Sequence, residues 1–434
     1  MFFNAADKAL WRLALPMIFS NITVPLLGLV DTAVIGHLDS PVYLGGVAVG
    51  ATATSFLFML LLFLRMSTTG LTAQAYGAKD PQRLARALVQ PLCLALAAGA
   101  AIVLLRMPLI DLALHIVGGS EAVLEQARRF LEIRWLSAPA SLANLVLLGW
   151  LLGVQYARAP VIGNVLNIVL DVWLVMGLHM NVQGAALATV TAEYATFFIG
   201  LLMARRVLAL RGVSLLMLKN AWRGDICRLL ALNRDIMLRS LLLQLCFGAV
   251  TVFGARLGAD VVAVNAVLMT MLTFTAYALD GFAYAVEAHS GQAYGARDDS
   301  RLLAVWHAAC RQSGIVALAF ALIYGLAGEQ IIALLTSLPS LQQLADRYLV
   351  WQMILPVIGV WCYLLDGMFI GATRGAEMRN SMAVAAAGFA LTLLTVPTLG
   401  NHGLWLALTV FLALRGVSLA AIWRRHWRRG TWFS

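Results

Sequence analysis

Apolar runs long enough to cross a bilayer constrain this chain more than any other feature. A hydrocarbon core takes about 20 apolar residues per helix. Twelve such runs lie near 11–36, 47–70, 86–107, 130–153, 160–178, 183–204, 235–256, 260–285, 303–327, 347–371, 381–399 and 403–423. They are continuous rather than alternating, which argues against a sheet barrel. Hydrophobic residues form 61% of the chain and charged residues 12%. That leaves too few polar groups to face water as a soluble fold or to remain disordered. The fold class predicted is an all-α polytopic membrane protein with twelve transmembrane helices.

The formal charge of +10 is placed at the ends of these runs and not in a basic domain. It therefore reads as the cytoplasmic loop excess of a membrane protein, with no nucleic acid partner. With a cytoplasmic N-terminus and alternating spans, 21 of the 31 Lys and Arg residues fall on the inside, for example Lys79, Arg83 and Arg86, the stretch Arg205 to Arg234, and Arg424 to Arg429. Five fall outside. Both termini are predicted to be cytoplasmic, with an uncleaved first helix. The five cysteines form no CxxC pair, and are read as small buried hydrophobes rather than a metal site or disulfide framework.

The chain also repeats itself. LTAQAYGAKDPQRLARA at 71–87 returns as HSGQAYGARDDSRLLAV at 289–305, and at the same offset of 218 residues Gly36 meets Gly254 and Gly153 meets Gly371. Six helices per half make the two copies parallel. The expected organisation is an N-lobe at 1–204, a basic cytoplasmic linker at 205–234 and a C-lobe at 235–434. Such a design suits a transporter whose substrate site lies between the halves and whose access alternates as they rock.

Six acids sit inside apolar runs: Asp31, Asp171, Glu193, Asp280, Glu287 and Asp366. An acid at mid-membrane costs at least about 2.5–3.5 kcal/mol, so such residues usually face an aqueous cavity or a partner and take part in ion or substrate movement. On the fifth span Asn167 and Asp171 are four apart and share a face, with Asn164 a turn earlier. Asn144 on the fourth span and Thr189 on the sixth complete a polar set that, with Asp31, predicts a pocket holding two carboxylates. Two acids in one low-dielectric site cannot both ionise cheaply, so one of them can carry a proton near neutral pH. The alternative for the amides and the threonine is that they only tie helices together. Pro16 and Pro25 free backbone carbonyls on the first span and allow a bend there, moving or static. In the second half, Asp280 and Glu287 share a face of the eighth span and Asp366 lies on the tenth. They are candidates for a second acidic site or a substrate route. Arg65 and Arg239 are intramembrane cations that can pair with these acids, bind an anionic substrate group or snorkel from a span edge. No Walker, HExxH or GxSxG motif is present, so neither an enzyme nor an ATP-driven pump is expected.

LALP…VDTAVIGHL on the first span, TAQAYGAKD and its copy GQAYGARDD, NVLNIVLD on the fifth span and DGMFIGATRG on the tenth resemble the multidrug and toxic compound extrusion (MATE) family. TAYALDGFAYAVEAHSGQAYGA on the eighth span is similar to its DNA-damage-inducible branch. The resemblance covers essentially the whole chain. It implies a 6+6 helix fold with two lobes around a central cleft and cation-coupled efflux of small organic compounds. It further implies that the family's N-lobe proton site falls on Asp31, Asn167, Asp171, Asn144 and Thr189, and its first-helix bend on Pro16. A C-lobe sodium site of the family uses a glutamate on the seventh helix and an aspartate on the tenth. Asp366 matches the second, but the seventh span here has Gln244 and no acid beyond Asp235 at its first residue.

The resulting expectation is a proton-coupled multidrug antiporter of the bacterial inner membrane, acting as a monomer in the lipid bilayer without metal or organic cofactor. The alternatives are sodium coupling and a flippase for lipid-linked precursors. Asp280, Glu287, Asp366 and Arg239 are the expected C-lobe route residues.

Overall fold

The computed structural model describes residues 4–36, 41–155, 166, 168–170, 172–173, 181–224 and 226–433, with the side chains of 23–36, 41, 42, 44, 181 and 215 outside the description. Every regular element among the described residues is helical: α1 (Ala5–Gly36), α2 (Pro41–Leu60), α3 (Phe63–Gly77), α4 (Pro81–Leu104), α5 (Arg106–Val117), α6 (Glu121–Arg134), α7 (Ala138–Gly153), α8 (Asn181–Leu210), α9 (Leu215–Asn220), α10 (Ile226–Leu257), α11 (Ala259–Gly295), α12 (Asp299–Leu335), α13 (Pro339–Arg347), α14 (Leu349–Gly371), α15 (Gly375–Thr392), α16 (Val396–Leu399) and α17 (Asn401–Arg429). Among these residues ten helical stretches are long and apolar enough to cross a membrane, from Gly45–Gly77 to Asn401–Arg429. The other two expected spans, 11–36 and 160–178, lie partly outside the described residues or side chains.

The helix starts follow local chemistry. Asn4 and Asp7 exchange backbone-to-side-chain bonds at 2.9 and 3.0 Å, a reciprocal cap that opens α1. Asp80 accepts from the backbone N–H groups of Gln82 and Arg83 ahead of α4, and Asp298 from that of Arg301 ahead of α12. These two aspartates are repeat partners. Just before them Lys79 and Arg297, also partners, take left-handed backbone conformations with φ of 55° and 53°.

The chain divides into two compact units, Met1–Ile18 with Ala231–Ser434, and Phe19–Leu230. The division falls two residues past Pro16, through which α1 runs as continuous helix. In the unit Phe19–Leu230, one core gathers Leu142, Val146 and Trp150 of α7 against Leu84 and Leu88 of α4, and a smaller one gathers Phe130 and Leu131 of α6 against Val47 of α2. In the other unit, Leu268 and Met271 of α11 pack with Leu355 of α14 and Trp405 and Phe411 of α17.

The sequence repeat reappears as repeated packing. A Cβ on Gly149 would meet the Arg65 carbonyl and one on Gly153 the Thr72 side chain. A Cβ on Gly367 would meet the Ala283 carbonyl and one on Gly371 the Ser290 side chain. All four partners stand 218 residues apart in pairs, so α3 against α7 and α11 against α14 are the same close helix contact made twice. Small residues let helix backbones approach in this way inside membranes. Of the cysteines, Cys246 and Cys362 are buried as expected, while Cys93 and Cys227 are exposed.

Candidate functional site

In the unit Phe19–Leu230 the polar set is built from α7 and α8. Asn144 projects from the middle of α7, and its Nδ2 donates to Glu193 Oε2 at 2.8 Å and to the Glu193 carbonyl at 3.0 Å. Its Oδ1 is buried with no hydrogen-bond partner. Glu193 is half-buried on α8, and Thr189 precedes it by one helical turn on the same face. The Thr189 hydroxyl donates to the Ala185 carbonyl at 3.2 Å. Asn144 and Thr189 therefore lie beside a carboxylate, and that carboxylate is Glu193. Asn167 and Asp171 lie outside the described residues, as does the side chain of Asp31, whose backbone belongs to α1. Glu193 is one of the intramembrane acids, but nothing local singles it out: it stands four residues past Thr189 in ATVTAEY and matches no motif. Arg65 on α3 is buried and reaches the Thr69 hydroxyl at 3.4 Å, so it does not snorkel.

In the other unit, α10, α14 and α17 bring three buried charges to one point. Arg239 donates to Asp366 Oδ2 at 2.6 Å, and Arg415 donates to the same oxygen. The side chains of the three are 8%, 10% and 4% exposed. Pairing thus accounts for Arg239, one of the readings open from sequence. Arg415, inside the span predicted at 403–423, is the partner that the sequence reading did not single out. One carboxylate between two guanidiniums leaves the cluster with an excess positive charge. A sodium ion at Asp366 would have to displace or tolerate both arginines, which like-charge repulsion in a low-dielectric site opposes strongly.

Asp280 is half-buried on α11 and lies within electrostatic reach of Cys362 and Tyr363 on α14, a turn before Asp366. Glu287 is buried, seven residues further along α11, and its carbonyl backs onto Gly371. His289 is bonded to the Ala9 carbonyl of α1 at 3.2 Å. Near it Arg311 holds the fully buried Asp7 at 3.2 Å, and Trp11 Nε1 donates to Gln312 at 3.0 Å. The start of α1 is thereby fastened to α11 and α12 within their own unit.

A duplicated set of apolar helices carrying buried acids and arginines is the construction of a membrane transporter, and the sequence profile of the MatE family matches residues 16–175 and 236–398. The chain belongs to this family, the multidrug and toxic compound extrusion transporters. It is 86% identical to DNA damage-inducible protein F of Escherichia coli (strain K12), over all of this chain and 95% of that protein. A probable multidrug resistance protein, NorM of Acinetobacter baylyi, is 23% identical over 96% of this chain and 94% of its own length. Among solved structures, an outward-facing multidrug resistance MATE family transporter of the MOP superfamily superposes with a TM-score of 0.82 at 23% identity, covering 99% of this chain and 97% of that one. A MATE crystal structure in the straight conformation gives a TM-score of 0.85 at 21% identity, covering 99% and 98%.

Proposed function

We propose that this transporter exports small organic compounds from the cytoplasm in exchange for protons, across the bacterial inner membrane, by alternating access between its two halves and with both termini in the cytoplasm. The observation that carries the choice of ion is the double occupation of Asp366 by Arg239 and Arg415. It engages the acid that a C-lobe sodium site would use, and the seventh span supplies Gln244 where such a site would need a second acid. Coupling then falls to the first half, to Asp31 and Asp171 with Asn167, Asn144 and Thr189. Glu193, held by Asn144, adds a third carboxyl to that set. Asp280 and Glu287, with Asp366 and Arg239, line the route for substrate in the second half.

A proton crossing about 100 mV releases about 2.3 kcal/mol. At about 1.4 kcal/mol per tenfold, that sustains roughly a fifty-fold gradient of a neutral substrate before any pH gradient is added. No organic cofactor or metal takes part, and the chain works as a monomer.

The test uses the full chain in lipid vesicles. Adding a transported cationic dye should release protons when only a proton gradient is imposed, and Asp31→Asn should abolish this. Proton-dependent transport at the wild-type rate in Asp31→Asn would remove that residue from the mechanism. Transport driven by a sodium gradient alone, at fixed pH, would overturn proton coupling.

A further inference from the structure

Ion coupling makes no use of a basic cavity of about 140 Å³ at the starts of α4 and α10, inside the unit Phe19–Leu230. Arg83, Arg86 and Gln90 of α4 and Arg228 of α10 supply its polar groups, and Leu71 and Leu229 are part of its apolar wall. The guanidiniums of Arg83 and Arg86, one turn apart on α4, repel one another across this hollow unless a negative charge joins them. Arg83 and Arg86 make no ion pair with any acid among the described residues. Asp225, beside Arg228 in sequence, lies outside them.

Two further observations point to a ligand. The first is that the Arg86 side chain is held in place. Its Nε is buried with no hydrogen-bond partner. Gly224, at φ +141°, lays bare backbone against it, and a Cβ there would stand 2.7 Å from that nitrogen. Gln90, itself buried, donates to the Trp222 carbonyl at 3.4 Å and helps to fix the same loop. The second comes from the internal repeat. Arg83 corresponds to Arg301, whose guanidinium is bonded to Gln292 at 2.7 Å within its own unit. Arg86 corresponds to Ala304. The second copy of this helix start folds without an arginine there, so the scaffold does not require one.

We infer that this cavity binds a single phosphate-class oxyanion. The guanidinium fork matches phosphate oxygens in geometry and charge. The volume suits one phosphate group and falls well below the roughly 300 Å³ at which drug-sized sites begin. The phosphate has two possible sources of the same chemistry: the headgroup of a phospholipid, since α4 continues as a span, or a soluble phosphate ester. Either would bind the turn around Gly224 to the start of α4.

The experiment places the full chain in phosphatidylcholine nanodiscs. In one arm inorganic phosphate is titrated calorimetrically. In the other, nanodiscs containing phosphatidic acid are used and retained lipid is counted by native mass spectrometry. Wild type should bind in at least one arm about ten- to a hundredfold more tightly than Arg86→Ala, the loss expected for a charge-assisted hydrogen bond, while the ligand-free melting temperatures of the two agree. Binding confined to the lipid arm identifies a headgroup, and binding of inorganic phosphate identifies a soluble source. Equal binding by wild type and Arg86→Ala in both arms, or no binding by wild type in either, overturns the site. Should Arg86→Ala fail to fold, Arg83→Gln on the first turn of α4 carries the same expectation.

Discussion

Replacing Asp366 with asparagine preserves the side chain's shape and removes its charge. In the folded protein Arg239 and Arg415 both converge on Asp366 Oδ2. After the substitution, two buried guanidiniums would face each other across a neutral amide. Removing one partner of a buried ion pair costs about 3–5 kcal/mol, because the remaining charge cannot recover its hydration. A domain of this size loses about 2–4 °C of melting temperature per kcal/mol. Asp366→Asn should therefore melt about 6–20 °C below wild type, followed by near-ultraviolet circular dichroism in detergent. The companion is the triple replacement Asp366→Leu, Arg239→Met and Arg415→Leu. It removes all three charges, and buried ion clusters exchanged for apolar residues are often neutral or stabilising, so it should recover most of the loss. An Asp366→Asn protein melting within about 2 °C of wild type would refute the charge argument. So would a triple variant less stable than the single one.

Two other substitutions probe packing. Gly371→Ala would put a methyl 2.9 Å from the Glu287 carbonyl oxygen and from the Gly291 nitrogen, and Gly153→Ala one 2.8 Å from Thr72 Cβ. Each should cost about 1–3 kcal/mol by forcing the paired helices apart, and an unchanged melting temperature in either would show that the contact yields freely. Asn265 and Asn401 exchange amide bonds at 2.8 Å in both directions, and Trp405 Nε1 donates to Asn265 at 3.1 Å. Asn265→Leu leaves both partners buried and unbonded, for an expected loss of about 1–3 kcal/mol. Amide hydrogen exchange at the start of α17 should rise with it, and exchange identical to wild type would contradict that.

The helices and their duplication were legible because both are written in local pattern. Continuous apolar runs give spans, and QAYGA with its offset glycines gives the repeat, which the structure returns as matching contacts at Gly153 and Gly371. The charged clusters were legible only in part. That Arg239 and Asp366 were intramembrane charges in want of partners could be read directly. That Arg415 would join them could not, because it lies 49 residues from Asp366 on another helix and nothing local to LALRGVS says which acid it faces. The available signal was that Arg415 itself stands inside an apolar run, at 403–423. Glu193 was hidden for a similar reason: its importance comes from Asn144 reaching across from α7, and one amide in a span has many possible neighbours.

The twinned glycine contacts have a consequence for how the two halves could come to differ. Gly149 and Gly153 seat against the same positions in their half as Gly367 and Gly371 do in theirs, so the joinery of the membrane helices rests on these glycines and on the backbone and small side chains, Thr72 and Ser290, that face them. Leu148 can then stand where the other half places Asp366, and one bundle can acquire a cation-rich knot while its sibling holds the Glu193 carboxyl on the Asn144 amide, without either losing its frame.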